Sequence, residues 1–440
     1  MEHEHGLGQF DDRRLEQVGS FLLERLCTVG QSGVCVRTLG GDRAGELRIT
    51  RFLRNDQVTP AEMFATTGAR TAGLVRGRHV LAIQDTTTLR DDGKKNSLLL
   101  HPTIAVDAET GALYGLVTAE LLHRHGGKKA SRKKRPFAKK ESRRWLTSTE
   151  ASADLLEAGA ARVTVVADRE GDIYEEFAFR PPAVDLLIRV AQDRCLADGR
   201  MLFGCLDTQP ELGRITVELP SAPGRPARTA RLALRAGVVE IARPARPKKE
   251  ADRLPEQVTL TLVEAREVDP PAGVEPAHWR LLTTHAVNTL ADAATIVGFY
   301  RQRWTIEQLF RTYKTQGFNI EAVRIADERP FETLAAATLI AAVQVLQLVR
   351  DRDGTAGRPL EDVFDPEDQA VLEAICPTLE GKTERQKNPH PRGTLAYASW
   401  VCARLGGWTG YYGKPGPVVM LRGLLRFRAV AQGWELGQIL

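Results

Sequence analysis

Aromatic residues are scarce in this 440-residue chain, at 6%, and there are only six cysteines and four methionines. Cys27, Cys35, Cys195, Cys205, Cys376 and Cys402 form no C-x-x-C pair, and no histidine cluster accompanies them. Structural zinc and a disulfide framework are therefore excluded, and reduced, buried thiols in a cytoplasmic protein are expected. No apolar run reaches the roughly 20 residues of a membrane span. The longest, LAAATLIAAVQVLQLV over 334–349, is interrupted by Thr338, Gln344 and Gln347 and reads as a buried helix. No membrane partner is expected. The polar, acidic start MEHEHGLGQFDDRRLEQ is not a secretory signal. There is no internal repeat. What remains is 42% apolar and 27% charged, rich in Ala, Leu and Val, enough for two to four globular domains.

Net charge is only +5, but it is unevenly placed. Residues 123–144 hold eleven Lys and Arg, among them Lys133, Lys134 and Arg135, against the single acid Glu141. That strip carries +10 and the rest of the chain −5. A dense basic strip on a mildly acidic body suggests a polyanion partner at a defined place. A merely solvated loop is the alternative.

Periodicity divides the chain. Residues 1–75 read as a helical N-terminal domain with Arg13, Arg14, Arg48, Arg51 and Arg54, and Thr59-Pro60-Ala61-Glu62 as a helix start with a capping box. Mixed α/β patterning occupies 76–190, with buried strands at 79–85, 162–168 and 184–190 and a hairpin around 107–111. Alternating strands fill 191–285, where nine of the 23 prolines lie between Pro220 and Pro276; so many prolines argue against a continuous core there. A helix is predicted from about 291 to 316, within a segment 286–330, and a mostly helical region at 331–440.

Two acids end apolar strands: Asp85 after HVLAIQ and Asp168 after RVTVVA. Ligand and catalytic groups favour the carboxyl ends of strands in open α/β sheets, although such acids also form turns and helix caps. On the 291–316 helix, Tyr300, Arg303, Glu307 and Lys314 fall within a sector of about 60° at ~100° per residue. That stripe equally describes a solvated, salt-bridged face. The chemistry the acids suit is two-metal phosphoryl transfer. Clustered carboxylates repel unless cations neutralise them, and Mg²⁺ or Mn²⁺ prefers oxygen ligands. The acids after Asp168 (Glu170, Asp172, Glu175 and Glu176) are expected to start and decorate the next helix. His101, His123, His125, His278 and His285 lack ligand spacing and read as structural or surface residues.

At these residues the chain resembles a known family. YRQRWTIEQLFRTYK matches the Y-x2-R-x3-E-x6-K signature of the bacterial insertion-sequence-four family of DDE transposases, the hairpin-forming cut-and-paste group. LAIQDTT and VVADREGDIYEEF resemble its first and second aspartate blocks, and WRLLTTHAVNTLADAATIVGFY the segment before the signature. RITRFLRNDQVTPAEMF and PGPVVMLRGLLRFRAVAQGW resemble its N- and C-terminal parts. The resemblance covers most of the chain, least in 195–275 and the basic strip.

The resemblance implies an α/β, ribonuclease H-like catalytic core interrupted by a β-rich insertion, flanked by a helical N-terminal DNA-binding domain and a helical C-terminal region suited to dimerisation. Asp85, Asp168 and Glu307 would be the catalytic, metal-binding triad for two Mg²⁺ ions, with Mn²⁺ substituting. Tyr300, Arg303, Arg311 and Lys314 would contact end phosphates. Trp304 follows Arg303 as in the family, beside the DNA. Trp279 would stack on a flipped base during hairpin formation, though a core tryptophan is the alternative. Partners would be double-stranded DNA, both transposon ends and target, and a second copy of the chain; a bacterial cytoplasmic, nucleoid-associated location follows. A stand-alone ribonuclease H-like nuclease, a catalytically inactive domesticated DNA-binding protein and an unspecific polyanion-binding module are the competing readings.

Overall fold

The computed structural model describes residues 6–29, 33–93, 96–124, 136–219, 226–245 and 253–439. Lys133, Lys134 and Arg135 lie outside the described residues, as does most of the basic strip. The chain divides into two compact units. One comprises Met1–Arg76, Thr86–Gly126 and Thr305–Leu440; the other Gly77–Asp85 and Gly127–Trp304.

The first unit begins with helices α1 (Arg13–Val29), α2 (Val36–Gly40), α3 (Arg43–Arg54) and α4 (Pro60–Gly73). The start of α4 is as expected in part. Thr59 caps it by accepting from the Glu62 amide, with Pro60 in the first turn. Glu62 does not complete a capping box; its carboxylate takes hydrogen bonds from the Gln9 amide and the Thr66 hydroxyl instead. Strands β2 (Thr87–Asp91), β3 (Ser97–Asp107) and β4 (Leu113–Arg124) pair antiparallel, with the expected turn between β3 and β4. Helix α4 lies close against β4: a Cβ on Gly68 would stand 2.4 Å from the Val117 carbonyl, so only glycine allows the approach.

The apolar run at 334–349 belongs to a longer helix, Glu328–Asp351, and is buried as expected. By length and composition this helix could cross a membrane, but its most apolar window is 89% buried inside the protein. A helix apolar all round must be enclosed by others. Here α1, α3, α4 and β4 pack on it from one part of the chain, and the helices Leu395–Leu405 and Pro417–Ile439 from another. The N-terminal and C-terminal helical segments thus share one core.

The second unit is built on a mixed sheet. Strands β1 (His79–Gln84), β5 (Arg162–Ala167) and β6 (Val184–Arg189) run parallel in that order. Their central residues, Val80–Ile83, Val163, Val165 and Leu186–Ile188, are wholly buried, as parallel strands covered on both faces require. Then β10 (His278–Thr283) pairs antiparallel with β6, and β9 (Gln257–Val268), β8 (Arg228–Ala242) and β7 (Gly213–Leu219) follow, each antiparallel to the last. The strands predicted in 191–285 therefore continue the sheet of the first three. The prolines do not interrupt it because Pro255, Pro270, Pro271 and Pro276 fall between strands, where no ladder hydrogen bond is lost. Helices α5 (Arg143–Ala151), α6 (Asp154–Glu157) and α7 (Tyr174–Phe179) flank it, and α8 (Leu290–Gln302) ends the unit. Of the cysteines, Cys27, Cys205, Cys376 and Cys402 are buried as expected, while Cys35 and Cys195 are exposed; all are free thiols.

Candidate active site

The register of β1 on β5 decides where the two strand-end acids lie. His79 pairs with Arg162 and Ile83 with Val166. Asp85 directly follows β1 and Asp168 directly follows β5. Neighbouring strands are about 4.8 Å apart, so the two acids follow the ends of neighbouring strands. Side chains alternate along a strand. His79, Leu81, Ile83 and Asp85 therefore share one face of β1, with Thr164, Val166 and Asp168 beside them on β5.

Asp85 is nearly buried and its Oδ2 accepts from Arg303 Nη1 at 2.9 Å. Both side chains are largely withdrawn from solvent, 14% exposed for Arg303 and 12% for Asp85, which strengthens a charged hydrogen bond relative to a surface pair. Asp168 is more open and caps the short turn Arg169–Gly171 by accepting from the Glu170 amide. The turn that follows is pinned. The Asp172 carboxylate accepts from Arg194 Nε at 2.9 Å and Nη2 at 2.6 Å and from the amides of Ala191 and Gln192. Gly171 lies where a Cβ would come within 2.7 Å of the Ala167 methyl.

Of the acids after Asp168, Glu175 and Glu176 lie in the first turn of α7, as expected, and Glu170 and Asp172 in the short turn before it. Glu170 is exposed and pairs with Arg144, but Asp172, Glu175 and Glu176 are buried. Glu176 is fully enclosed. Its Oε1 accepts from Gln84 Nε2 at 3.0 Å and from the Thr149 hydroxyl at 2.8 Å, and burial pushes its carboxyl up to about 8. Gln84 and Thr149 are likewise wholly buried. The carboxylates are drawn inward because partners distant in sequence supply the hydrogen bonds.

At the far end of the same face, His79 Nε2 and His285 Nε2 each lie 2.9 Å from the Thr164 hydroxyl. Desolvation pushes His285 down to about 4, so it is neutral at pH 7 and serves packing with Phe299.

The predicted 291–316 helix is two helices. The first, α8, starts on a capping box, with the Thr289 side chain accepting from the Asp292 amide and Asp292 accepting from the Thr289 amide. It ends at Gln302, and α9 (Trp304–Lys314) begins two residues later. At the junction the Arg303 amide bonds to the Tyr300 carbonyl, an i to i−3 tightening. Arg303 turns toward Asp85, whereas one continuous helix would place Tyr300, Arg303, Glu307 and Lys314 on one stripe. Tyr300 is buried and meets the half-buried Trp279 edge to face, centroids 5.9 Å apart. On α9, Glu307 and Trp304 are half-buried and Arg311 is exposed. Lys314 Nζ donates to the Thr87 hydroxyl at 3.2 Å and the Thr88 carbonyl at 2.8 Å, and pairs with Glu321 at 2.6 Å. Among the described residues, no group of three or more His, Cys, Asp or Glu side chains is gathered so as to hold a metal ion.

A sequence profile described as "Transposase DDE domain" matches residues 76–344. The chain belongs to that family. Its activity is DNA transposition, which entails DNA binding and metal-dependent phosphoryl transfer on DNA. The match begins just ahead of β1 and runs through α9, so in this transposase it embraces Asp85, Asp168, Tyr300, Arg303, Glu307 and Lys314. DDE transposases typically use divalent metals, and the large mixed sheet is consistent with a ribonuclease H-like core.

Proposed function

We propose that this transposase is a hairpin-forming enzyme of the insertion-sequence-four group, with Asp85, Asp168 and Glu307 as its catalytic carboxylates. The observation that carries the reading is that Asp85 and Asp168 directly follow the ends of the paired, parallel strands β1 and β5, with Arg303 reaching Asp85. Two oxygen-only side chains at neighbouring strand ends are the donor chemistry that Mg²⁺ or Mn²⁺ selects, and Glu307 adds a third carboxylate through the Y-x2-R-x3-E-x6-K signature. When bound there, divalent ions would activate an attacking hydroxyl and stabilise the leaving oxygen.

The reaction is a series of in-line displacements at phosphorus. Water nicks one strand, the freed 3′-hydroxyl attacks the opposite strand to close a hairpin, a second water opens it, and the same 3′-hydroxyl joins target DNA. Arg303 orients Asp85 by a charged hydrogen bond. Arg311 and Lys314, with Arg303, supply positive charge for end phosphates. Trp279, edge-on to Tyr300, offers a flipped base a surface to stack on. The working form is a homodimer holding two transposon ends in the bacterial cytoplasm.

The test is cleavage of end-bearing DNA in Mg²⁺. Asp85→Ala, Asp168→Ala and Glu307→Ala should each abolish cleavage while end binding persists, and wild-type protein should yield hairpinned ends. A triad variant cutting at the wild-type rate refutes the assignment. Nicks without hairpins would mark a plain nuclease.

A further inference from the structure

We infer that Glu176 is a positioning residue for the active site: its carboxyl group clamps, from the back of the sheet, the two strand ends that carry Asp85 and Asp168. The inference rests on the reading of those aspartates as metal ligands.

The connection is short on both sides. Gln84 immediately precedes Asp85 and points to the opposite face of β1. Glu176 lies on α7, eight residues after Asp168, and the intervening turn has little freedom. Asp168 caps its first turn, Asp172 is held by Arg194 and two amides, and Gly171 sits against Ala167. Fixing Glu176 therefore fixes the segment leaving Asp168. Its hydrogen bond to Gln84 joins that segment to the residue before Asp85, and Thr149 on α5 closes the triangle with bonds to both partners, Gln84 at 3.2 Å and Glu176 at 2.8 Å.

Burial sharpens the argument. All three polar side chains are completely enclosed, and the second Glu176 oxygen has no hydrogen-bond partner among the described residues. An apolar residue of similar size would fill this space at lower cost, because a buried carboxyl gains back only part of its desolvation. What an apolar residue could not do is hold Gln84 and Thr149 in one geometry. Paired carboxylates bind a cation well only if their separation is held to a few tenths of an ångström, and outer partners of metal ligands commonly matter about ten- to a hundredfold in affinity.

The experiment titrates Mn²⁺ alone into the full chain, followed by water proton relaxation, beside thermal unfolding and Mg²⁺-dependent cleavage. Glu176→Leu should bind Mn²⁺ about tenfold or more weakly and cleave correspondingly more slowly at limiting metal. Glu176→Gln, which keeps a carbonyl oxygen for both donors, should restore both. A merely structural role would lower the melting temperature of Glu176→Leu and leave Mn²⁺ affinity unchanged, which overturns the clamp. Asp168→Ala is the control: if it still binds Mn²⁺ like wild type, the ligand assignment itself fails; if it loses Mn²⁺ while Glu176→Leu retains it, the clamp alone fails. Should Glu176→Leu not fold, Thr149→Val removes one donor at nearly constant volume, and unchanged Mn²⁺ affinity in that variant overturns the proposal.

Discussion

Stability should fall with rising pH through the titration of one residue, Glu176. Its carboxyl is wholly buried, receives two hydrogen bonds and faces no cation among its hydrogen-bond partners. Burial carries it from the usual 4.5 to about 8. For an acid raised on folding, the folded protein binds the proton more tightly than the unfolded chain. The proton is therefore retained on folding below about pH 8, and the cost of ionising a buried group accumulates as pH rises from 4.5 toward 8. At about 1.4 kcal/mol per tenfold change, the full cost is roughly 5 kcal/mol, reached above pH 8 and absent below 4.5. Glu176→Gln cannot ionise and carries no such dependence. Urea unfolding of wild type and Glu176→Gln at pH 5 and pH 9 isolates the residue. The comparison uses midpoints, because a chain of two compact units need not unfold in one step. Relative to wild type, Glu176→Gln should gain stability between pH 5 and pH 9, by some kcal/mol up to the value above. An identical offset between the two proteins at both pH values would refute the argument, since Glu176 would then ionise freely in the folded state.

Other perturbations test separate parts of the structure. Asp172→Ala strands the nearly buried Arg194 guanidinium and should cost about 3–5 kcal/mol, read by thermal unfolding; a loss below about 1 kcal/mol would mean the pair is dispensable. Trp279→Ala should leave the first nick intact and impair hairpin formation on end-bearing DNA, whereas equal loss of both steps would point to its packing on Tyr300 as the whole role. Neutralising the lysines and arginines of 128–140 should flatten the dependence of DNA affinity on salt, because fewer counterions are released, and an unchanged slope would remove the strip from the binding surface.

How much of this was legible depended on whether the deciding force was local. Asp85 and Asp168 stood out because each ends a run of apolar residues, and the strands follow those runs to within a residue. That the two acids follow neighbouring, paired strands was not legible, since strand pairing is set between segments some eighty residues apart. The signature spacing was plain, yet the break at Arg303 was hidden: neither glycine nor proline marks it, and the helix tightens at an ordinary arginine. The acids of DREGDIYEEF marked the start of a helix, and Glu175 and Glu176 do occupy its first turn, but nothing local showed that they are buried. Their burial is decided by Gln84, Thr149 and Arg194, none of them near in sequence. Proline density suggested an interrupted core at 191–285, where position within the connections was what counted.

The helix Glu328–Asp351 has a consequence for how the chain comes to be folded. It is the surface on which α1, α3 and α4 bury their apolar faces. During synthesis those early helices emerge more than 250 residues before it does. Short helices are marginal alone in water, so they wait, incompletely ordered, while the intervening stretch of the second unit, 127–304, is already out of the ribosome. Closing so long a loop is an entropic cost met late, and it makes the first unit the slower to mature. The order of assembly expected of a nascent transposase is therefore the sheet of β1 and β5 first, with the opening helices seated after it.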